Sequence, residues 1–187
     1  MEIWEEIKAD PNAGAKRLVI EYGDRLYDAA VRLCLDEDAA RELVSRTLLR
    51  AIERIDLFQG GSTLYTWLYA ILVNFWRMEM RRRKSDKVLF TDELPDRPDD
   101  SPDPFEALAA KADAQAIRDA VGHLPACYRA VTVFRYFEDM TVPEIARVMG
   151  VPEGTVKFRI HKAKAMMRRQ LAQTINAPSA SSKGGRT

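Results

Sequence analysis

Apolar positions recur at three- and four-residue steps along most of the chain, the period that collects side chains on one face of a helix. Ile3, Trp4 and Ile7 mark a short first helix that stops near Asp10-Pro11-Asn12. Leu18, Val19, Tyr22, Leu26, Ala29, Ala30 and Leu33 predict a second, running to about Cys34. Asp36-Glu37-Asp38 supplies a cap, with carboxylates at the positive end of a third helix. That helix carries Leu43, Val44, Thr47, Leu48, Ala51, Ile52 and Ile55 on one side and Arg46, Arg50, Glu53 and Arg54 mostly on the other. Gly60-Gly61-Ser62-Thr63 interrupts the period. Leu64, Trp67, Leu68, Ile71, Leu72 and Phe75 restart it, and the helix runs into Arg81-Arg82-Arg83.

The period lapses again from about Ser85 to Pro104, where Pro95, Pro98, Pro102 and Pro104 exclude a helix and acids replace apolar residues. Roughly 20 extended residues reach on the order of 65 Å, so this linker can separate two modules by nearly two turns of duplex DNA. A helix follows from Phe105 to about Val121. Pro125 then suits the first turn of another, which carries Tyr128, Val131, Phe134 and Phe137. The pattern predicts an all-α chain of two small helical domains, 1–84 and 105–175, joined by an acidic Pro-rich linker at 85–104. The Ser, Ala, Gly and Lys of 176–187 cannot bury a core and predict a disordered tail.

The strongest local signal lies between Met140 and Met167. Thr141 caps a helix, and Glu144 three residues on completes a capping box. Pro143 falls in the first turn, where its missing N–H costs little. Ile145, Ala146 and Met149 face inward, Ala146 being small enough for a close crossing. Gly150 supplies the positive φ that ends the helix, and Val151 plugs the turn. Pro152-Glu153-Gly154-Thr155 starts a second helix with Val156, Ile160, Ala163 and Met167 as its buried stripe. Its other face is left with Lys157, Phe158, Arg159, His161 and Lys162. This is a helix-turn-helix with a basic second helix, the arrangement that enters a DNA groove.

Charge sharpens that picture. The 187 residues sum to only +1. Yet Thr155 to Leu171 holds six Lys or Arg and no acid. A second basic run is Arg77, Arg81, Arg82, Arg83 and Lys84, and the linker between the two is acidic. Two basic zones point to a polyanion partner that the total conceals. Lys and Arg neutralise phosphates and release counterions; Arg pairs with guanine edges, and His or Phe meets base edges and thymine methyls.

Other chemistry is not indicated. Cys34 and Cys127 sit in apolar helical patterns without metal-like spacing and read as reduced, buried thiols. There is no nucleophile–base pair, phosphate loop or metal-ligand cluster, so neither an enzyme nor a cofactor or metal site is expected; His123 and Cys127 alone do not make one. Met1-Glu-Ile-Trp-Glu-Glu is unlike a signal peptide, and the apolar run from Leu64 to Trp76 is too short to span a bilayer. A cytoplasmic protein without membrane insertion is expected.

Leu124-Pro-x-x-Tyr-Arg-Ala-Val, Arg135-Tyr-Phe-Glu-Asp-Met-Thr-Val-Pro-Glu-Ile-Ala and Gly150-Val-Pro-Glu-Gly-Thr-Val-Lys-Phe-Arg-Ile-His-Lys-Ala-Lys resemble the fourth region of bacterial RNA polymerase sigma factors, specifically the small extracytoplasmic-function group. Asp36-Glu-Asp-Ala-Ala-Arg-Glu-Leu-Val-Ser-Arg-Thr-Leu-Leu-Arg-Ala, Phe58-Gln-Gly-Gly-Ser-Thr-Leu-Tyr-Thr-Trp-Leu-Tyr-Ala-Ile-Leu-Val-Asn and the Arg81 cluster are similar to its second region. Together the two cover most of the chain, in the family's order, with no room for the third domain of larger sigma factors.

The resemblance implies an alternative sigma factor that directs core RNA polymerase to promoters, with no catalytic site of its own. Its fourth region would read the −35 duplex with Lys157, Phe158, His161 and Lys162, and touch phosphate with Thr155 and Arg159; packing against the preceding helix is the alternative for His161. Its second region would capture an extruded −10 base in the loop at Gly60, Gly61, Ser62, Thr63 and Leu64, beside Asn74. Tyr65 would stack on separated bases, while Arg77, Arg81, Arg82 and Arg83 follow phosphates, a merely solvated helix end being the alternative for these arginines. Trp67 shares the apolar stripe and reads first as core, with stacking as the alternative. Polymerase docking, through the β′ clamp helices and the β subunit, would use Glu42, Ser45 and Arg46. Here Ser45 and Arg46 replace the family's usual Gln and acid, Met78 replaces an Asp or Asn, and Phe158 stands where a small Ser is common. These departures suggest a divergent promoter preference. The acidic linker resembles the segment that threads the polymerase's RNA path. The family also implies an anti-sigma partner, and a decoy that sequesters such a partner is the alternative function. Against the decoy, the chain has no receiver domain and keeps its basic helix.

Overall fold

The structure is a computed structural model that describes residues 2–82 and 112–176. The expected linker, the Phe105 helix start, Arg83 and the tail beyond 176 lie outside the described residues.

Helix α1 (Ile3–Ala9) opens with a capping box between Glu2 and Glu5 and buries Ile3 and Ile7. Asp10 ends it and caps α2 (Pro11–Cys34), accepting from the Asn12 and Ala13 N–H groups. The pattern placed the start of α2 near Leu18. The Asp10 cap and Pro11 at the first position start it seven residues sooner. Gly14 makes the α1–α2 crossing possible, since a Cβ there would lie 2.5 Å from the Ile7 nitrogen. Leu35 closes α2 in the left-handed conformation.

Helix α3 (Glu37–Glu53) is capped by Asp36, which accepts from the Ala39 N–H at 2.8 Å. One 3₁₀ turn at Ile55–Leu57 leads to the glycine loop and then to α4 (Leu64–Arg82). The Thr63 hydroxyl accepts from the Thr66 N–H and starts α4. Leu18, Leu26, Ala29, Leu33, Ala40, Leu68 and Leu72 are fully buried among these helices. Trp67 packs on Phe58, which packs on Trp4, so it belongs to this core.

The carboxy-terminal half comprises α5 (Ala114–Gly122), α6 (Ala126–Tyr136), α7 (Val142–Met149) and α8 (Glu153–Asn176). Pro125 stands one position before α6, as its cap residue. Ile145, Met149, Val156 and Leu171 are fully buried. No strand occurs among the described residues. Cys127 is buried but Cys34 only half so, a partial correction to the expected pair of buried thiols. The halves are packed together: α4 lies against α7, and α2 against α6.

Candidate nucleic-acid interfaces

The helix-turn-helix is assembled by local chemistry. Glu144 Oε2 accepts from the Thr141 N–H at 2.8 Å and from the Thr141 hydroxyl at 2.6 Å. Those bonds hold the Glu144 carboxyl below the usual carboxylate range, the side-chain bond contributing most. Gly150 has φ 58°, and the Val151 N–H returns to the Ala146 carbonyl at 3.1 Å. This closure sets the start of α8. Val156, Ala163 and Met167 point into the core, with Ile160 half-buried on the same stripe.

Of the residues expected to read duplex, Lys157, His161 and Lys162 are exposed and Phe158 is half-buried, with the Lys162 Nζ 5.7 Å from its ring centre. His161 is exposed, not buried against the preceding helix. Arg159 and Thr155 depart from expectation: they are only 1% and 8% exposed. Helical geometry explains this. At about 100° per residue, position 159 lies roughly 60° from Val156, on the flank of the buried stripe rather than opposite it. The end of α4 approaches that flank. Arg77 Nη1 lies 4.0 Å from where a Gly150 Cβ would stand. Burial lowers the pKa of Arg77, as do the nearby charges of Arg159 and Arg81.

The expected single-strand site divides similarly. Gly60, Gly61 and Thr63 are exposed and Ser62 is half-buried. Gly60 takes φ 73°, and no atom lies within 4 Å of a Cβ built at either glycine. The loop is therefore free to admit a ligand close to its backbone. Asn74, Arg81 and Arg82 are exposed along α4. Leu64 corrects the expectation: it is 9% exposed and belongs to the core.

Tyr65 is engaged within the protein. Its hydroxyl donates to Glu138 Oε2 at 2.8 Å and accepts from Arg25 Nη2 at 3.0 Å, and the Arg25 guanidinium lies 4.4 Å from its ring centre. Tyr69, fully buried, donates to the same carboxylate oxygen at 2.7 Å. Burial first, and Glu138 second, hold both phenols protonated well above their ordinary range. Sequence reasoning missed Glu138, Tyr69 and Arg25. No local pattern marks them, because the tyrosines meet Glu138 across 69 and 73 residues of chain.

On α3, Glu42 and Ser45 are exposed. Arg46 is half-buried, 3.6 Å from Glu42 and with its guanidinium 4.6 Å from the Phe75 ring centre. The three share one surface, beside a cleft bounded by Asp38, Phe75, Glu79 and Met80.

Comparison with known proteins interprets this geometry. Residues 18–86 match the family description "Sigma-70 region 2", and residues 114–167 match "Sigma-70, region 4". The extracytoplasmic-function RNA polymerase sigma factor SigW of Bacillus subtilis is 30% identical over 172 residues, covering 88% of this chain and 91% of SigW. The chain belongs to the extracytoplasmic-function group of sigma-70 factors. This sigma factor is also 30% identical to the RNA polymerase sigma-E factor of Streptomyces coelicolor over 148 residues, covering 79% of this chain and 80% of the relative. The RpoE sigma factor of Bartonella quintana, solved with the anti-sigma factor NepR, superposes with TM-score 0.64 at 25% identity, over 84% of this chain and 96% of RpoE. CnrH, solved with the cytosolic domain of CnrY, has the same fold, with TM-score 0.63 at 22% identity over 95% and 97% of the two chains. The two helical halves of this sigma factor are thus its region 2 and region 4. Among its described residues no helix is long and apolar enough to cross a membrane.

Proposed function

We propose that this alternative sigma factor brings core RNA polymerase to a specific promoter set by a two-point grip. Region 4, within residues 105–175, reads the −35 duplex through Lys157, Phe158, His161 and Lys162. Region 2, within 1–84, captures −10 single strand with the Gly60–Thr63 loop, Asn74 and Arg81. Glu42, Ser45 and Arg46 face the polymerase clamp. The observation that carries this reading is the solvent-facing row Lys157, His161 and Lys162 on the second helix of a helix-turn-helix whose first helix is capped at both ends. A basic row there meets phosphates and major-groove edges. An anti-sigma factor is a further partner, supported by the complex in which RpoE was solved.

The test is transcription by core polymerase, with and without the protein, on a genomic fragment library. Specific new start sites are expected. If no fragment gains one, the chain is a decoy that sequesters an anti-sigma factor.

A further inference from the structure

The loop assigned above to base capture has no neighbours at its glycine tip, where no atom lies within 4 Å of a Cβ built at Gly60 or Gly61. Its conformation is therefore set from its two ends. At the far end Thr63 starts α4. The Thr63 hydroxyl accepts from the Thr66 N–H at 3.2 Å, and its carbonyl accepts from the Trp67 N–H at 3.2 Å. At the near end the Phe58 N–H closes the 3₁₀ turn onto the Ile55 carbonyl at 3.0 Å. The Phe58 ring, 6% exposed, joins the two ends by packing on Trp67, with 5.5 Å between ring centres. A second ring meets Phe58 from outside the loop: Trp4 of α1, edge-on at 5.9 Å.

Helix α1 is itself firmly placed. It crosses α2 where a Gly14 Cβ would collide with Ile7, and Glu6 accepts from the Arg17 guanidinium at 2.8 Å. Lys8 links it to the 3₁₀ turn, its Nζ lying 4.9 Å from the Trp4 ring centre and 3.9 Å from Asp56. The helix precedes residues 18–86, the part matched to region 2. Glu2, Glu5 and Glu6 outweigh Lys8, so α1 repels a phosphate backbone and is not itself a strand contact. Its influence on a bound strand runs through Phe58. A loop that must be ordered to seize a base binds more tightly when it is ordered beforehand.

We infer that Trp4 is a positioning residue for base capture: through Phe58 it holds the Gly60–Thr63 loop ready before DNA arrives. This rests on the promoter-binding reading for its purpose, but the first of its two readouts needs no DNA. Amide hydrogen exchange on the full chain reads the order of residues 58–63. Trp4→Ala should speed exchange there at unchanged helix content, and Trp4→Phe should restore it. The second readout uses the chain assembled with core polymerase and the −10 single strand of a promoter recovered in the transcription experiment. Trp4→Ala should weaken binding of that strand about fivefold, the order an aromatic pair contributes beyond its buried area. Affinity for core polymerase and for −35 duplex should not change. Ile7→Val, which trims the α1–α2 crossing without touching the rings, should lower the denaturant midpoint and move neither readout. If Trp4→Ala loses helix content, Trp4→Leu, apolar but without the ring, takes its place. Exchange as slow as wild type, strand binding as tight as wild type, or equal effects from Ile7→Val would each overturn the positioning role. Should the wild type direct no transcription while the exchange difference stands, the promoter reading falls and the ordering of the loop by Trp4 remains.

Discussion

Two residues apart on α8, Lys157 and Arg159 have opposite fates. Lys157 is exposed on the outer face, with His161 and Lys162 one turn on. Arg159 is buried, with the Arg77 side chain of α4 close enough for its charge to be felt. The outer face is open to solvent, whereas Arg159 is covered. One helix therefore divides its basic residues between an open face and a covered one. A charge count along α8 alone would have treated them as equivalent.

The largest test of this contrast is Phe134→Ala. Phe134 is fully buried and supports both the region 4 core and the edge contact with Tyr69. Its loss should cost about 3–5 kcal/mol in denaturant unfolding. A cost below about 1 kcal/mol would show that the packing of the two halves does not depend on it. Next is the double change Lys157→Ala with Lys162→Ala. It should leave thermal stability within about 0.5 kcal/mol and lower the salt slope of duplex binding by about two. An unchanged slope would remove the outer face from the interface.

Smaller is Thr141→Ala, which removes half of the capping box and should cost about 1 kcal/mol. Its pH dependence has a definite sign. Glu144 is held below its ordinary pKa in the folded protein, so its contribution is present above the unfolded carboxylate's pKa and fades as pH falls through the lowered folded value. Unfolding curves of Thr141→Ala should lose that part of the acid sensitivity; identical acid profiles would refute the assignment. Smallest is Arg159→Ala. It should change the salt slope of duplex binding by well under one, whereas Lys157→Ala alone changes it by about one. Equal slopes would erase the distinction between the open face and the covered one.

Most of the fold was legible because its signals are short. The Asp36 cap of α3, the Gly60–Thr63 break and the Thr141, Glu144 and Gly150 devices of the helix-turn-helix act within about one helical turn. The early start of α2 was harder to see. Pro11 to Arg17 holds few large apolar residues, so only the Asp10-Pro11 cap marks it. Leu64 stands where loop and helix meet: the resemblance puts it in the binding loop, whereas its place on the stripe with Leu68 and Leu72 buries it.

By itself, then, the amino-acid sequence determined the helices, their caps, the basic outer face of α8 and the membership in a sigma-factor family. The helices, caps and basic face follow from period, composition and residues a few positions apart, and the family from the resemblance of whole motifs. Only the tertiary structure decided that Arg159 and Thr155 are covered, that Tyr65 is half-buried, and that Glu138 faces two tyrosines from the other region. Such pairings join residues some seventy positions apart, and they are set by how two amphipathic halves pack, which no local pattern encodes.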